Sequence, residues 1–163
     1  AISGEDEGGV VRWRTDGLSK SMPADDAKVL AEYIDSLPEK PAHRALPIEM
    51  PSYSSIEFLL DPETITIGPD GVVRYVVVGR SRGTSGTVNA FYEGMRCSAA
   101  SIKTYATNTN GSWNMIEAPD WRPFREMRSK YGVELARQAV CRGDAPRESV
   151  RDMVNHLRRP YRG

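Results

Sequence analysis

The chain has 163 residues and no formal net charge, and 39% of its residues are hydrophobic, 8% aromatic and 27% charged. This length suits one domain with a substantial core, and the composition is ordinary for a soluble globular protein. Because no apolar run approaches the roughly 20 residues of a membrane-spanning helix, we expect no transmembrane segment.

Charge is divided unevenly along the chain. Residues 1–121 carry 11 Lys and Arg against 17 Asp and Glu, whereas residues 122–163 carry 11 against 5. This pattern indicates either that the basic tail docks on the acidic body or that the tail faces a partner.

The N-terminal third predicts an arm followed by one helix. Residues 1–20 include an acidic run with two glycines and predict an extended N-terminal arm. The chain begins at Ala1 without an initiator methionine, so we expect either that a signal peptide has been removed or that the chain has been trimmed. Residues 21–163 are predicted to form a single domain, which starts with an amphipathic helix that ends at about Leu37. Four prolines in residues 38–54 then predict an extended connection.

Residues 55–117 predict an antiparallel meander of five or six strands. The clearest signal is the Asp70–Gly71 turn between strands at residues 64–67 and 72–79, because Asp-Gly between two alternating apolar runs is typical of a hairpin. Asn110–Gly111 marks a second hairpin. The other strands are predicted at residues 56–60, 89–97, 102–107 and 113–116.

The last third of the chain predicts helices. Two helices are expected at Phe124–Tyr131 and Val133–Arg142, broken at Gly132 and followed by Gly143 as a C-cap. A last amphipathic helix is expected at residues 150–157. A meander covered by an N-terminal helix and by these C-terminal helices makes an α+β fold.

Cys97 and Cys141 are the only cysteines, so a single intramolecular pairing exists. In an oxidising compartment their disulfide would close a loop of roughly 45 residues and stabilise the fold by about 3–4 kcal/mol. The alternative is two buried free thiols. No metal site is expected, because the chain has no Cys-x-x-Cys spacing and the two histidines, His43 and His156, lie far from the cysteines in sequence.

Five segments of the sequence stand out. They are Phe58–Pro62, Asp70–Tyr75, Tyr92–Cys97, Trp121–Pro123 and the predicted helix that bears Cys141. Together they resemble the cryptic neisserial protein (CNP-like) family of small exported bacterial proteins, over a core of roughly residues 45–145. The resemblance implies a proteobacterial protein with a signal peptide, located in the periplasm or at the outer membrane. It therefore favours the disulfide over free thiols, and it implies no activity and no catalytic residue.

Glu93 is the first candidate for chemistry, because alternation along the strand at residues 89–97 places it among apolar side chains on the face that turns toward the core. We expect a structural ion pair in which Arg74 or Arg96 satisfies Glu93, since a buried carboxylate needs a partner. The alternative is an acid with a perturbed pKa in a pocket. A hydrolase that uses Glu93 and a histidine is the least favoured interpretation, because no motif presents a nucleophile.

Arginines form the candidate binding surface. The loop at residues 80–86 combines arginines with glycines and suits an anion, although it lacks the spacing of a P-loop. The C-terminal arginines suit an anionic envelope ligand or the acidic face of a partner, and the alternative is a solvated helix face. The candidate arginines are Arg80, Arg82, Arg147, Arg151, Arg158 and Arg159.

We predict a non-enzymatic protein of the cell envelope that acts as an accessory or assembly subunit through protein–protein contacts. A catalytic motif is missing from the sequence, and an extended N-terminal segment and a basic C-terminal region suit an interaction role. The expected partner is an envelope protein, alone or within a larger complex, and peripheral membrane association stays open. We expect no cofactor, no metal and no nucleic acid. The alternative function is a binding module for an anionic envelope ligand.

Overall fold

The computed structural model describes residues 31–32, 34–35, 37, 45–82, 88–109 and 111–158. These residues form an antiparallel meander with a few short helices at the C-terminal end. The predicted N-terminal arm and most of the predicted N-terminal helix lie outside the described residues. None of the described helices has the length and the apolar run that crossing a lipid bilayer requires.

Six strands follow one another across the sheet, and each pairs antiparallel with the next. They are β1 (Leu46–Ile48), β2 (Ile56–Ile67), β3 (Val72–Ser81), β4 (Val88–Arg96), β5 (Ser101–Thr109) and β6 (Ser112–Met115). A two-residue strand, β7 (Arg122–Pro123), pairs with the start of β5. The predicted meander is therefore confirmed, with β1 and β7 as additions that are too short to give a sequence signal.

The predicted Asp-Gly hairpin joins β2 to β3. Gly71 has a φ of +81°, a conformation that glycine adopts without the strain of a side chain. The Asp70 carboxylate accepts a hydrogen bond from the Val72 amide at 3.1 Å, which fixes the turn. The hairpin thus forms where the sequence predicts it.

Strand β2 is longer than predicted, because residues 56–60 and 64–67 belong to one strand. The register with β3 shifts between Asp61 and Thr66, so the intervening residues form a bulge. At the bulge the Thr64 hydroxyl donates to the Asp61 carbonyl oxygen at 2.8 Å and accepts from the Val76 amide at 2.8 Å. A side-chain oxygen therefore replaces the ladder partner that the bulge removes, and the strand continues through Pro62.

The first two C-terminal helices differ from the prediction, whereas the last forms at nearly the predicted residues. The described elements are a 3₁₀ turn at Phe124–Glu126, α1 (Tyr131–Leu135), a π-helical turn at Ala136–Val140, β8 (Cys141–Arg142), β9 (Ala145–Pro146) and α2 (Val150–Arg158). The predicted helix at Phe124–Tyr131 was wrong except for its 3₁₀ turn. The predicted break at Gly132 was wrong too, because Gly132 lies inside α1, where a Cβ atom would approach the Ile102 Cδ1 atom to 2.9 Å. Gly143, with a φ of +65°, lies in the turn between β8 and β9 and is not a helix cap.

Both faces of the sheet are buried. One face, here called the helix-side face, carries Val73, Tyr75 and Val77, which belong to the same core cluster as Leu135 of α1 and Met153 of α2. On the opposite face a second cluster contains Val76, Val78, Tyr92 and Tyr105, together with Ile34 and Leu37. The sheet is therefore the central layer, and the C-terminal helices cover one side of it.

Two contacts fasten the helical layer to the sheet. Cys97, at the end of β4, forms a disulfide with Cys141, and their Cα atoms lie 5.7 Å apart. Gln138, buried in the π-helical turn, accepts a hydrogen bond from the Glu49 amide and donates one to the Glu49 carbonyl oxygen, both at 2.9 Å. The side-chain amide of Gln138 thereby satisfies the backbone just after β1, in the manner of a neighbouring strand.

Candidate functional site

Among the described residues, the helical layer leaves part of the helix-side face uncovered. On β3, Tyr75 and Val77 lie in the core, whereas Gly79 and Ser81 continue the same alternation into an open groove. Gly79 pairs with Phe58 of β2 on one side and with Asn89 of β4 on the other. Because Gly79 has no side chain, the floor of the groove is low at this point.

This groove, here called the aromatic groove, has a volume of about 910 Å³. Its floor consists of Ile56, Phe58, Gly79, Ser81, Asn89 and Phe91. Its wall is the start of α1, where the Tyr131 ring stacks on Phe58 with ring centroids 4.6 Å apart. The Ser129 hydroxyl accepts a hydrogen bond from the Tyr131 amide at 3.2 Å and holds the beginning of this wall. A mostly apolar groove of this volume is within the range of protein ligand sites.

A side pocket of about 310 Å³ adjoins the aromatic groove and shares Ile56 and Phe58 with it. Tyr53 lines the side pocket and is 80% exposed, and Ile56 is 41% exposed. Large apolar side chains with this exposure are typical of surfaces that bind a partner when they lie together beside a groove.

Three cations lie along the margin of this surface. Arg82 lines the aromatic groove, and Arg128 and Lys130 line the side pocket. All three side chains are exposed, and the structure gives none of them an ion-pair partner among the described residues. Their charges are therefore available to an anionic group that approaches the groove.

Beneath the wall of the groove, Glu93 is fully buried between two tyrosines. Tyr75 donates a hydrogen bond to one carboxylate oxygen at 3.0 Å, and Tyr131 donates to the other. Burial raises the pKa of Glu93 to about 7, even though both hydrogen bonds oppose that rise. Burial and the neighbouring carboxylate also hold the pKa of both tyrosines well above the usual value. The tyrosines thus stay protonated and act as donors.

The predicted ion pair of Glu93 with Arg74 or Arg96 is replaced by these tyrosine contacts. Arg74 is adjacent to Tyr75 in sequence and therefore points to the opposite face of the sheet, where it pairs with Asp70 at 3.2 Å. Its guanidinium also lies over the Tyr105 ring, 5.5 Å from the centroid. The pleat of β3 separates Arg74 from Glu93.

Arg96, the other predicted partner of Glu93, is exposed at the end of β4. Its guanidinium stacks over the Trp121 ring, 4.2 Å from the centroid. The contact joins β4 to the segment before β7 and is a cation–π interaction rather than an ion pair.

The segment Tyr92–Cys97 carries much of the family resemblance. Besides Glu93 and Arg96, its other residues also make contacts that hold the fold together. Tyr92 packs against Tyr105 on the opposite face, with ring centroids 5.6 Å apart. Gly94 is required nearby, because a Cβ atom there would lie 2.8 Å from the Tyr105 hydroxyl oxygen. Met95 packs with its sulfur 3.6 Å from the Cys141 sulfur. The segment therefore holds the scaffold together on both sides of the sheet.

The two arginines predicted to hold an anion at the β3–β4 loop have different surroundings. The Arg80 guanidinium donates two hydrogen bonds to the same Glu57 oxygen, at 2.9 and 3.1 Å. Arg82 lies on the margin of the aromatic groove. Residues 83–87 of the predicted loop lie outside the described residues. Of the two, Arg82 is therefore the one that can meet a ligand.

The C-terminal arginines do not join Arg82 at the aromatic groove. Arg151 and Arg158 are exposed on α2, and Arg147 is partly buried in a separate pocket of about 470 Å³ beside Cys141. Arg159 lies outside the described residues. The predicted arginines are therefore distributed over separate parts of the surface.

The structure does not bring Glu93 and His156 together. His156 lies on the exposed side of α2 and contacts Asp152, with nitrogen and oxygen 3.5 Å apart. His43, the other histidine in the least favoured prediction, lies outside the described residues. Among the residues that the structure describes, no group of three or more His, Cys, Asp or Glu side chains is arranged to hold a metal ion.

Sequence reasoning missed the aromatic groove and the role of Tyr131. Tyr131 follows Glu93 by 38 residues and lies at the end of a predicted helix, so no local pattern connects the two side chains. The available signal was the glutamate itself, because a carboxylate on an inward-facing strand position needs donors, and tyrosine hydroxyls are suitable donors in a core.

Comparison with known proteins gives one informative result. No curated protein and no solved structure matches the chain. The model of the CNP1-like family matches residues 25–158, which is most of the sequence and includes the sheet, both cysteines and the groove. The chain therefore belongs to the CNP1-like family.

Proposed function

We propose that the protein is a non-enzymatic accessory or assembly subunit of the cell envelope and that it contacts another protein through the aromatic groove. The observation that carries the proposal is the exposed pair Tyr53 and Ile56 beside an apolar groove floor. Tyrosine and arginine contribute disproportionately to the energy of protein interfaces, and Arg82 lies on the margin of the same surface.

The side chains of the groove suit binding better than catalysis. The floor and wall present aromatic rings, aliphatic groups, hydroxyls and an amide. Glu93, which contacts Tyr131 of the groove wall, is enclosed in the core with both carboxylate oxygens occupied by tyrosine hydroxyls. These features favour a docking surface over an acid–base site.

The periplasm or the outer membrane is the proposed location. The disulfide between Cys97 and Cys141 supports this location, because disulfides persist in oxidising compartments such as the bacterial periplasm. Peripheral association with a membrane is compatible with the cations beside the groove.

Affinity purification from envelope extracts tests the proposal. The bait is the full-length oxidised protein, and the test variant carries Tyr53→Ala with Ile56→Ser. Both residues are exposed, so the fold should persist, whereas loss of interface anchors should lower recovery of a partner by about tenfold or more. Quantitative mass spectrometry of the recovered proteins is the readout.

A matched control uses Met115→Ala with Val133→Ser, which removes large apolar side chains that are 42% and 43% exposed outside the groove. This control should recover the same partner as the natural sequence. Recovery of identical proteins by all three baits, or of no protein by the natural sequence, would contradict the proposal.

A binding module for an anionic envelope ligand is the second candidate function. Arg82 favours it, because its guanidinium is exposed on the groove margin, whereas Arg80 is held by Glu57. Retention of the protein on an anionic resin should weaken with salt and should fall with Arg82→Gln more than with Arg80→Gln. Equal effects of the two changes would argue against a specific site.

A further inference from the structure

The aromatic groove and the adjoining side pocket together make a surface with cations along both parts. Ile56 and Phe58 line both parts. Arg82 lies in the groove part, whereas Arg128 and Lys130 lie in the side-pocket part. Positive groups therefore line both parts of a mostly apolar surface.

The centre of this surface has room for an apolar side chain. The groove has a volume of about 910 Å³, and at Gly79 the Phe58 ring and the Ile56 side chain lie close over the floor, 3.3 and 3.6 Å from where a Cβ atom would be. Phe91 and Tyr131 border the same space. An aromatic or aliphatic side chain placed here would lose water contact against aromatic rings, which is the arrangement of an interface anchor.

We propose that the partner presents an acidic peptide segment to this surface, with an apolar side chain in the aromatic groove and Asp or Glu on both sides of it. The inference rests on the function proposed above and names the chemistry of its partner. Charge complementarity favours an acidic occupant, since Arg82, Arg128 and Lys130 have no ion-pair partner among the described residues.

The number of cations and their distribution over two adjoining pockets favour a peptide over an amphiphile with one anionic head. A single head group supplies one anionic group for three cations. A peptide carries several carboxylates along its length and supplies counter-charges in both pockets. The exposed Tyr53 ring beside the side pocket provides further contact area for a chain of this kind.

Selection from a library of random short peptides tests the inference. The full-length oxidised protein is the target, and a fluorescent copy of a recovered peptide gives the dissociation constant. Recovered sequences should share an apolar centre flanked by acidic residues. Binding should weaken by about tenfold or more with Arg82→Glu, Arg128→Glu and Lys130→Glu combined, and it should weaken with added salt.

Two further variants separate charge from shape and from folding. Arg125→Glu, Arg151→Glu and Arg158→Glu combined change the net charge equally at exposed positions outside the surface and should leave binding within about twofold. Gly79→Val pushes on the Phe58 ring and changes the shape of the groove floor without changing charge, and it should weaken binding by about tenfold. Circular dichroism confirms that each variant is folded.

Several outcomes would overturn the inference. Recovery of neutral or basic peptides, of no peptide at all, or of peptides whose binding ignores the three cations would each refute an acidic occupant. Binding of dodecanoate or of phosphatidylglycerol vesicles through these cations, without acidic peptides, would assign the surface to an amphiphile. If the purification above still recovers a groove-dependent protein, the proposed function stands while the acidic segment does not.

Discussion

Replacing Glu93 by Gln should remove a pH dependence from the stability of the fold. Glu93 is fully buried, and both of its carboxylate oxygens accept hydrogen bonds from tyrosines. A glutamine has nearly the same shape and can accept from one hydroxyl and donate to the oxygen of the other. The substitution therefore removes the charge of the ionised form and keeps the packing and both contacts.

The size of the effect follows from the pKa of Glu93. The pKa rises from 4.5 to about 7 in the folded protein, so the folded state keeps a proton that the unfolded chain has already lost over that interval. The stabilising contribution of the protonated form is complete below about pH 4.5 and is lost as the pH rises through about 7. At 1.36 kcal/mol per pH unit, the loss amounts to about 3 kcal/mol.

Urea denaturation of the oxidised protein at about pH 4 and about pH 8 measures this loss. The free energy of unfolding of the natural sequence should fall relative to that of Glu93→Gln by about 3 kcal/mol between the two values. Glu148→Gln, an exposed control, should follow the natural sequence at both. Because the Tyr131 hydrogen bond lowers the pKa of Glu93, Tyr131→Phe should move the transition to higher pH. A constant difference between the natural sequence and Glu93→Gln across the range would refute this reasoning.

Three other changes test the scaffold. Replacing both Cys97 and Cys141 by Ser should lower the free energy of unfolding by about 4 kcal/mol, the value of the chain-entropy model for a separation of 44 residues. Denaturation without reductant measures the loss, and an unchanged midpoint would contradict the stabilising role of the disulfide. Gly94→Ala should lower the free energy of unfolding by about 1–3 kcal/mol, because its Cβ atom would lie 2.8 Å from the Tyr105 hydroxyl and 2.9 Å from Val72 Cγ1. Gly79→Ala should lower it less, because the nearest atom to its Cβ lies at 3.3 Å. Equal melting temperatures for the two variants would contradict this ranking. Gln138→Leu should lower the free energy of unfolding by about 1–3 kcal/mol, because the Glu49 backbone loses two hydrogen bonds. Hydrogen exchange at the Glu49 amide should then be faster, and unchanged exchange would contradict the role given to Gln138.

The parts of the fold that local chemistry determines could be predicted from the sequence. Gly71 supports a left-handed turn that few other residues tolerate, and the alternating apolar runs beside it specify two strands. The pairing of Cys97 with Cys141 was accessible because the chain offers no other pairing. The turn depends on neighbouring residues, and the disulfide follows from the presence of only two cysteines. Neither required knowledge of how the strands are aligned with one another.

The contacts that depend on register could not be predicted. Glu93 lies opposite Tyr75 only because the ladder between β3 and β4 runs in that register, and Tyr131 reaches the same carboxylate from a different layer. Gly132 is typical of a helix end in sequence, yet it lies inside α1, where the close approach of Ile102 leaves no room for a side chain. The aromatic groove arises because the strands extend past the helical layer, and no local pattern in the sequence indicates how far a strand extends beyond the helices that cover it.

Photo-crosslinking in intact cells tests the central claim most directly, since it reports which surface the partner touches. A photoreactive residue replaces Asn89 in the groove floor or, as a matched control, Asn155 on the exposed side of α2. Our account predicts a discrete adduct with one protein from position 89, its loss when Tyr53→Ala and Ile56→Ser are added, and no adduct from position 155. An adduct from position 155 with none from position 89 would contradict the assignment of the groove as the working surface.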